Sequence, residues 1–498
     1  MSGWGGGYVT DVNYTLGWYR QQSPAMIALA SIIGGASATI PAGDDPVQLL
    51  ELGCGLGYGA MAQAASNPSW TVTAVDFNPA HIATAREWAA EAGLTNITFL
   101  EADLSRWEDH PALHTLPEMD FVTLHGVWSW VPPAAQNGIV RLLGQKVRPG
   151  GLVHVSYNTL PGWQDRIGLA RIIREAGRLV PGRSDTRARA GLRVVQDLIG
   201  AGAHFTTGAA IADLVASLER SSAHYLAHEF MNTHWAPCFG MDVAAALSDA
   251  KLEWIATSTL TDNFPELMLT EEQREIFNRY SDPLMQELIK DMCVPRGLRH
   301  DVFVRGARRI NLSERATALM DVHLTLMKPA EDLPDAIAMP AGRAELNREF
   351  YLPIVKALSA RPGRVGDLLQ LPELVGRRDN PAELISILIA ADMAGPAARP
   401  TSAPGVEAMR FNAVTARRMM GREAPDRPVA AACKPTGYPV ITPLLALALV
   451  EFVRAGITDL DGLMRAMNTT PEQQTDTRTS VEACLNRFLP VLKDAGVF

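Results

Sequence analysis

Nothing in this 498-residue chain is apolar for long enough to cross a bilayer, because its longest apolar run, Leu444 to Val450, is far short of the roughly 20 residues a membrane helix needs. The opening stretch, MSGWGGGYVT, has neither a basic n-region nor an apolar core, so neither a secretory signal nor membrane insertion is expected. Cysteine is scarce. The five cysteines, at 54, 238, 293, 433 and 484, are odd in number and include no CxxC pair, which argues against a disulfide framework and a zinc ribbon. Reduced thiols and a cytoplasmic location follow as expectations. Positive charge is also short, with 45 Lys and Arg against 54 Asp and Glu and a net charge of -9. A protein that tracks phosphates more often carries a basic face, so nucleic acid is not an expected partner. The one basic concentration, the arginines at 166, 171, 174, 178, 183, 187, 189 and 193, reads as a solvated helix face or a dimer rim. HEFMNTH, 228 to 234, would need a histidine where Asn232 stands to match H-E-x-x-H, and no metal site is expected.

What is present begins with ELGCGLGYGA, residues 51 to 60, directly behind the apolar run Val47, Leu49, Leu50. Alternating glycines after a short strand mark a backbone that approaches a ligand closely at the first turn of a βαβ unit. Gly55, Gly57 and Ala60 also fit the dinucleotide fingerprint, with Asp76 near the place of a ribose-binding acid. Glu51 separates the two readings. A pyrophosphate gains nothing from a carboxylate at the strand end, whereas S-adenosylmethionine carries an amino group and a sulfonium, both cationic.

The next hundred residues extend the pattern. TVTAVDFNPA ends a strand at Asp76, ITFLEADLS ends another at Asp103, and MDFVTLHGVW and GGLVHVSYN supply a fourth and a fifth. Helical stretches between them, such as His81 to Ala92 with Gly93 as its stop, predict a parallel doubly wound sheet whose carboxyl ends form the ligand crevice. Three acids at three successive strand ends would face that crevice.

ELGCGLG, Asp76, Asp103, HGVWSWVP and the RPGG turn together resemble the class I S-adenosylmethionine-dependent methyltransferases. With DVNYTLGWYRQQSP, YNTLPGW, YLAHEF and RHDVFVRGARR, residues 8 to 330 are similar to the bacterial methyltransferases that carry a methyltransferase regulatory domain, a group that includes protein-lysine methyltransferases of outer-membrane proteins. The resemblance implies S-adenosylmethionine as cofactor, with Glu51, Gly53 and Gly55 at its methionine part, Asp76 at the ribose, and Asp103 with Leu104 at the adenine. Phe77 and His125, at the same strand ends, complete the expected cofactor set.

The expected fold is α/β: a Rossmann-like seven-stranded methyltransferase sheet with a helical insertion, then a mainly helical C-terminal region with a candidate winged helix. Residues 1–45 would form an N-terminal helical lid, 46–164 the cofactor-binding core, 165–235 the insertion and dimerisation surface, and 236–311 the rest of the sheet. Its last two strands are placed at about 252 to 260 and 301 to 306. Residues 312–344 read as a connector, 345–435 as the winged-helix-like module and 436–498 as a last helical segment. On this division a chain ending near residue 330 folds alone.

Methyl transfer to an amine needs a neutral nucleophile, and a free lysine is deprotonated only to the order of one part in a thousand at neutral pH. An aromatic, low-dielectric channel lowers that pKa. Trp128 and Tyr157 are the expected catalytic residues of such a channel, with Trp130, Asn158 and Trp163 binding the acceptor; for each aromatic, packing between sheet and insertion is the competing reading. The N/D-P-P-Y/F motif of base-methylating enzymes is missing, since Trp130, Val131, Pro132, Pro133 and Ala134 stand there. The expectation is direct in-line transfer to protein lysine ε-amines. A small-molecule O- or N-methyltransferase, or a cofactor-binding regulatory protein with little catalysis, are the alternatives.

Overall fold

The computed structural model describes residues 6–12, 16–41, 44–206, 208–376, 380–397, 405–419, 429–457, 459–466 and 474–498. Tyr14, within the stretch DVNYTLGWYRQQSP, lies outside them.

Seven strands form the central sheet: β1 (Gln48–Leu52), β2 (Thr71–Asp76), β3 (Ile97–Glu101), β4 (Met119–Leu124), β5 (Val147–Asn158), β6 (Leu252–Thr257) and β7 (Leu298–Arg305). Their order is β3-β2-β1-β4-β5-β7-β6, with β1 to β5 parallel and β7 antiparallel to both neighbours. The order reverses between β1 and β4, and a switch point of this kind opens a crevice at the strands' carboxyl ends.

Alternation along the strands divides the sheet into two faces. Leu49, Phe121, Leu152, Val302 and Val304 belong to one core, and Leu50, Val122, Val153, Val155, Tyr157 and Phe303 to the other. On the first face lie three helices, α1 (Pro24–Ile33), α2 (Tyr58–Ser66) and α3 (Pro79–Ala92). Ser23 caps α1 by accepting the Met26 N–H, and nine of the ten α1 residues, all but Ala25, are buried. A helix apolar on every side is a core helix. The segment expected as a lid therefore contributes a core element, pressed so closely on β6 that a side chain at Gly34 would meet the Ile255 carbonyl at 2.6 Å.

The insertion after β5 is four helices, Ile167–Arg178, Ser184–Gly200, Ala209–Arg220 and Ala223–Phe230, around a small core that includes Val9 and Val12 of the N-terminal segment. Residues 312–344, expected as a connector, are structured. They hold the helix Leu312–Met320, strand β8 (His323–Leu326) and a hairpin of β9 (Ala336–Met339) and β10 (Gly342–Glu345). β8 is the middle strand of a second sheet, between β11 (Gly363–Arg364) and β12 (Ala394–Ala397). A helix, a short strand, two helices and a strand lie over 348–397, and residues 398–404 of the stretch expected as a winged-helix-like module lie outside the described residues.

The C-terminal region is docked on α2 and α3. All nine residues of α2 are buried, because the helix Val406–Met419 and the strand β13 (Val429–Ala431) cover the side that the sheet leaves open. The Tyr58 hydroxyl donates to the Ala430 carbonyl at 2.8 Å and accepts its N–H at 3.0 Å. Ser66 Oγ accepts the Cys433 N–H, Asn67 donates to the Gly437 carbonyl, and the Arg418 guanidinium lies 2.6 Å from Glu91. Met61 and Trp88 share one continuous core with Phe411, Leu447 and Val497.

Candidate active site

The glycines of the β1–α2 turn have the backbone that only glycine adopts without strain: Gly53, Gly55 and Gly57 sit at φ +73°, +54° and +72°. A side chain at Gly53 would meet Val127 at 2.3 Å, and one at Gly57 would meet Phe99 at 2.4 Å. Asp76, at the end of β2, fastens this turn. Its Oδ2 accepts the Gly55 N–H and its Oδ1 the Asn78 N–H, at 2.8 and 2.9 Å. A carboxylate has about four lone-pair positions, so acceptor capacity remains for a diol.

Beside the turn is a cavity of about 200 Å³ whose lining is mainly apolar. Gly53, Asp76, Phe77, Asp103, Leu104 and Trp130 line it, joined by Tyr8 and His234. The Asp103 carboxylate accepts the Ser105 N–H at 2.8 Å and so starts the following turn. Phe77 meets Tyr8 edge-on at 5.5 Å between ring centroids. The N-terminal segment that carries Tyr8 is held by the insertion, where Asn232 accepts the Val9 N–H and Thr233 donates its N–H to Gly7.

Glu51 lies off this cavity, against the first turn of α2, where a side chain at Gly59 would come within 3.8 Å of both its oxygens and 3.2 Å of Gln22 Nε2. It is buried, and among the described residues no cation of the chain pairs with it. Burial and then the Asp76 charge push its carboxyl up to about 8. A buried carboxylate with no counter-charge is unfavourable in the free protein and matches a ligand that brings cations. The turn, Asp76, the apolar adenine-sized cavity and Glu51 thus fit S-adenosylmethionine part by part.

The expected acceptor side divides. Trp130, Asn158 and Trp163 come together through Trp235, which the sequence reading did not single out. Its ring centroid is 6.0 Å from that of Trp130 and 5.0 Å from that of Trp163, and its Nε1 donates to Asn158 Oδ1 at 3.2 Å. Trp128 and Tyr157 do not join them. Trp128 is 4% exposed in the core of the opposite face, and its backbone carbonyl accepts from Gln136. Tyr157 is odd in a strand whose even residues face α1, so its ring points to that same opposite core. There its hydroxyl donates to Asp301, which also binds Arg299 at 2.9 Å. Arg299, 1% exposed, holds Glu287 and Asp291 as well, at 2.8 and 2.7 Å, and Arg296 and Lys290 complete a buried ionic cluster. These two side chains therefore pack the sheet and do not line the cavity.

A test separates packing from catalysis. Tyr157→Phe leaves Asp301 with one acceptor position unfilled, so a loss of roughly 1–3 kcal/mol in stability is expected, with cofactor affinity within a few fold. Chemical denaturation and calorimetry check it, and a large loss of turnover at unchanged stability would return Tyr157 to the chemistry.

His125, expected at the cofactor, sits beneath Tyr19, with ring centroids 3.9 Å apart, beside His154 and His300. Burial holds His154 well below the usual imidazole value, and His300 is lowered to about 4, burial again the largest cause.

The comparisons agree with this geometry. A model described as a methyltransferase domain matches residues 49–151, and one described as a predicted methyltransferase regulatory domain matches 222–305. The second stretch contains β6 and β7, so it completes the catalytic sheet. A Synechocystis protein, the uncharacterized sll1526, is 31% identical over 366 residues, 73% of this chain and 71% of that one. The Rickettsia prowazekii protein RP789 is 30% identical over 128 residues, covering 26% of this chain and 22% of its own length. Among solved structures, PKMT2 from Rickettsia typhi in complex with AdoHcy superposes with a TM-score of 0.70 over 97% of this chain and 99% of that one, at 16% identity.

Proposed function

This chain belongs to the class I S-adenosylmethionine-dependent methyltransferases with a methyltransferase regulatory domain, and from that premise we propose that its acceptor is a protein lysine ε-amine. The observation that carries the proposal is the indole wall of Trp130, Trp235 and Trp163, with Asn158 set into it, next to the cofactor cavity. The resemblance to bacterial protein-lysine methyltransferases and the likeness in fold to PKMT2 along the whole chain support it.

When bound, the cofactor supplies a methyl group activated on a sulfonium. The chain's own residues bind, orient and exclude water. Asp76 and the glycine turn fix the nucleoside end, and Glu51 is placed to neutralise the amino acid end. The indoles present an apolar wall that favours the neutral amine over the ammonium, and their π-faces accept the cation that remains after transfer. In-line displacement asks for positioning and desolvation, with no covalent intermediate on the protein.

Full-length enzyme incubated with labelled cofactor and candidate proteins should give lysine-methylated peptides by mass spectrometry. Trp235→Ala should lower kcat/KM for a protein acceptor about tenfold or more while AdoHcy affinity stays within threefold, because that indole lies on the acceptor side of the cavity. Rapid methylation of a small alcohol or phenol, with no lysine product on any protein tested, would replace the proposal with the small-molecule reading.

A further inference from the structure

Three histidines that no motif connects meet on the α1 face of the sheet. His125 follows β4, His154 lies within β5 and His300 within β7, and one ring nitrogen from each lies within 4.8 Å of the other two. His154 Nε2 and His300 Nδ1 are 3.4 Å apart. Their ring planes differ by 20° and their centroids by 5.6 Å, so the rings lie side by side with facing edges. His125 is nearly parallel to both, at 14° to His300 and 9° to His154.

A separation of 3.4 Å is long for a hydrogen bond from N–H, which runs at about 2.7–3.2 Å. It is the separation two nitrogens take on one tetrahedral zinc, where bonds of about 2.0–2.1 Å place ligands about 3.3–3.4 Å apart. We propose that His125, His154 and His300 form a three-imidazole site for a divalent transition ion, zinc or a close relative. Three imidazoles without a carboxylate suit zinc, copper or nickel and do not suit magnesium or calcium, which take oxygen ligands.

The surroundings of His125 are those of a metal ligand. Metal-bound histidines usually hand their second ring nitrogen to an oxygen acceptor that fixes the ring. Ser156 Oγ lies 3.1 Å from His125 Nδ1 and is itself held by the Gly126 N–H at 2.8 Å. Tyr19 stacks on the same ring. His154 is fully buried, its Nε2 faces His300 Nδ1, and among the described residues its Nδ1 has no hydrogen-bond partner. Three protein ligands leave a fourth position open, as in reactive zinc sites and unlike structural ones. The inference is independent of which acceptor the enzyme methylates.

Full-length protein, stripped with a chelator and dialysed against Zn²⁺, should retain about one equivalent by elemental mass spectrometry, and X-ray absorption on that sample should show three imidazole nitrogens at the metal. Co²⁺ in its place should give the visible bands of a four-coordinate ion. His125→Gln and His300→Gln, whose side chains are only half-buried, should weaken Zn²⁺ by more than the ~10- to 100-fold typical of outer-shell losses, and Ser156→Ala by about that range. No stoichiometric uptake of Zn²⁺, Ni²⁺ or Cu²⁺ by the wild-type chain, or an absorption spectrum with fewer than three imidazoles, would overturn the site. So would folded His125→Gln and His300→Gln variants that keep wild-type affinity.

Discussion

A chain ending at residue 344 is expected to be insoluble or molten and to have no measurable affinity for AdoHcy. The sequence suggested otherwise, because the methyltransferase resemblance stops near residue 330 and the last strand of the sheet ends at Arg305. The structure shows what such a chain would uncover. Every residue of α2 is buried, and the cover on one side comes from Val406–Met419 and β13. Phe411 is 0% exposed and stacks on Tyr58 at 5.9 Å, and the Tyr58 hydroxyl would lose both of its partners on Ala430. Replacing Phe411 alone by alanine should cost roughly 3–5 kcal/mol. Domains carry only about 5–15 kcal/mol of net stability, so removing the whole face exceeds what the remainder can absorb. The loss reaches the site because Tyr58 follows Gly57 at the start of α2, directly after the turn that Asp76 fastens. Size-exclusion chromatography, near-ultraviolet dichroism and calorimetry with AdoHcy read the outcome. A monodisperse 1–344 chain that binds AdoHcy would show that the C-terminal region is a removable module.

The turn and the acids around the cavity were legible in the sequence because they are local. Glycine spacing, an acid at each strand end and the strand–helix alternation are all written within 60 residues, and Gly53, Asp76, Phe77, Asp103 and Leu104 indeed line one cavity. The last two strands were placed within a few residues for the same reason, since each carries β-branched and aromatic residues in a short stretch, found as Leu252–Thr257 and Leu298–Arg305. What joins distant segments left no trace. Trp235 and His234 reach the site from the end of the insertion, more than 100 residues after Trp130, and nothing in HEFMNTHW marks them. The three histidines lie after β4, within β5 and within β7, and His300 joins the other two only through the antiparallel return of β7 beside β5. Tyr157 could have been read correctly from parity: with His154, Ser156 and Asn158 on one face of β5, residue 157 must face the other. Periodicity likewise marks α2 as apolar but cannot say that its outer side is covered by a helix 350 residues later.

Cofactor binding at pH 7 should release close to one proton, and the release should vanish in Glu51→Gln. In the free protein, burial and the Asp76 charge push the Glu51 carboxyl up to about 8, so at pH 7 it is mostly protonated. A ligand that brings an ammonium group favours the carboxylate and pulls the value down, which is the linkage that expels the proton. The sign follows. Below pH 8 affinity should rise with pH, by at most about tenfold per unit, because each unit increases the ionised fraction of Glu51. Above 8 that gain stops, and affinity turns down as the ligand's own α-amino group, near about 7.7–8.0 when free, loses its charge. Glu51→Gln keeps the shape and removes the charge-assisted bond, which is worth roughly 1.5–3 kcal/mol, or about 10- to 150-fold in affinity. Asp76→Asn is the matching control: it weakens binding through the ribose end and through the Gly55 N–H it accepts, and because burial is the larger cause of the Glu51 shift and the Asp76 charge the smaller, the proton release should shrink without vanishing. Calorimetry in buffers of different ionisation enthalpy measures the release directly. A release near zero in the wild-type chain, with affinity flat from pH 6 to 8, would mean that Glu51 is already ionised before the cofactor arrives and that some cation of the chain meets it in solution.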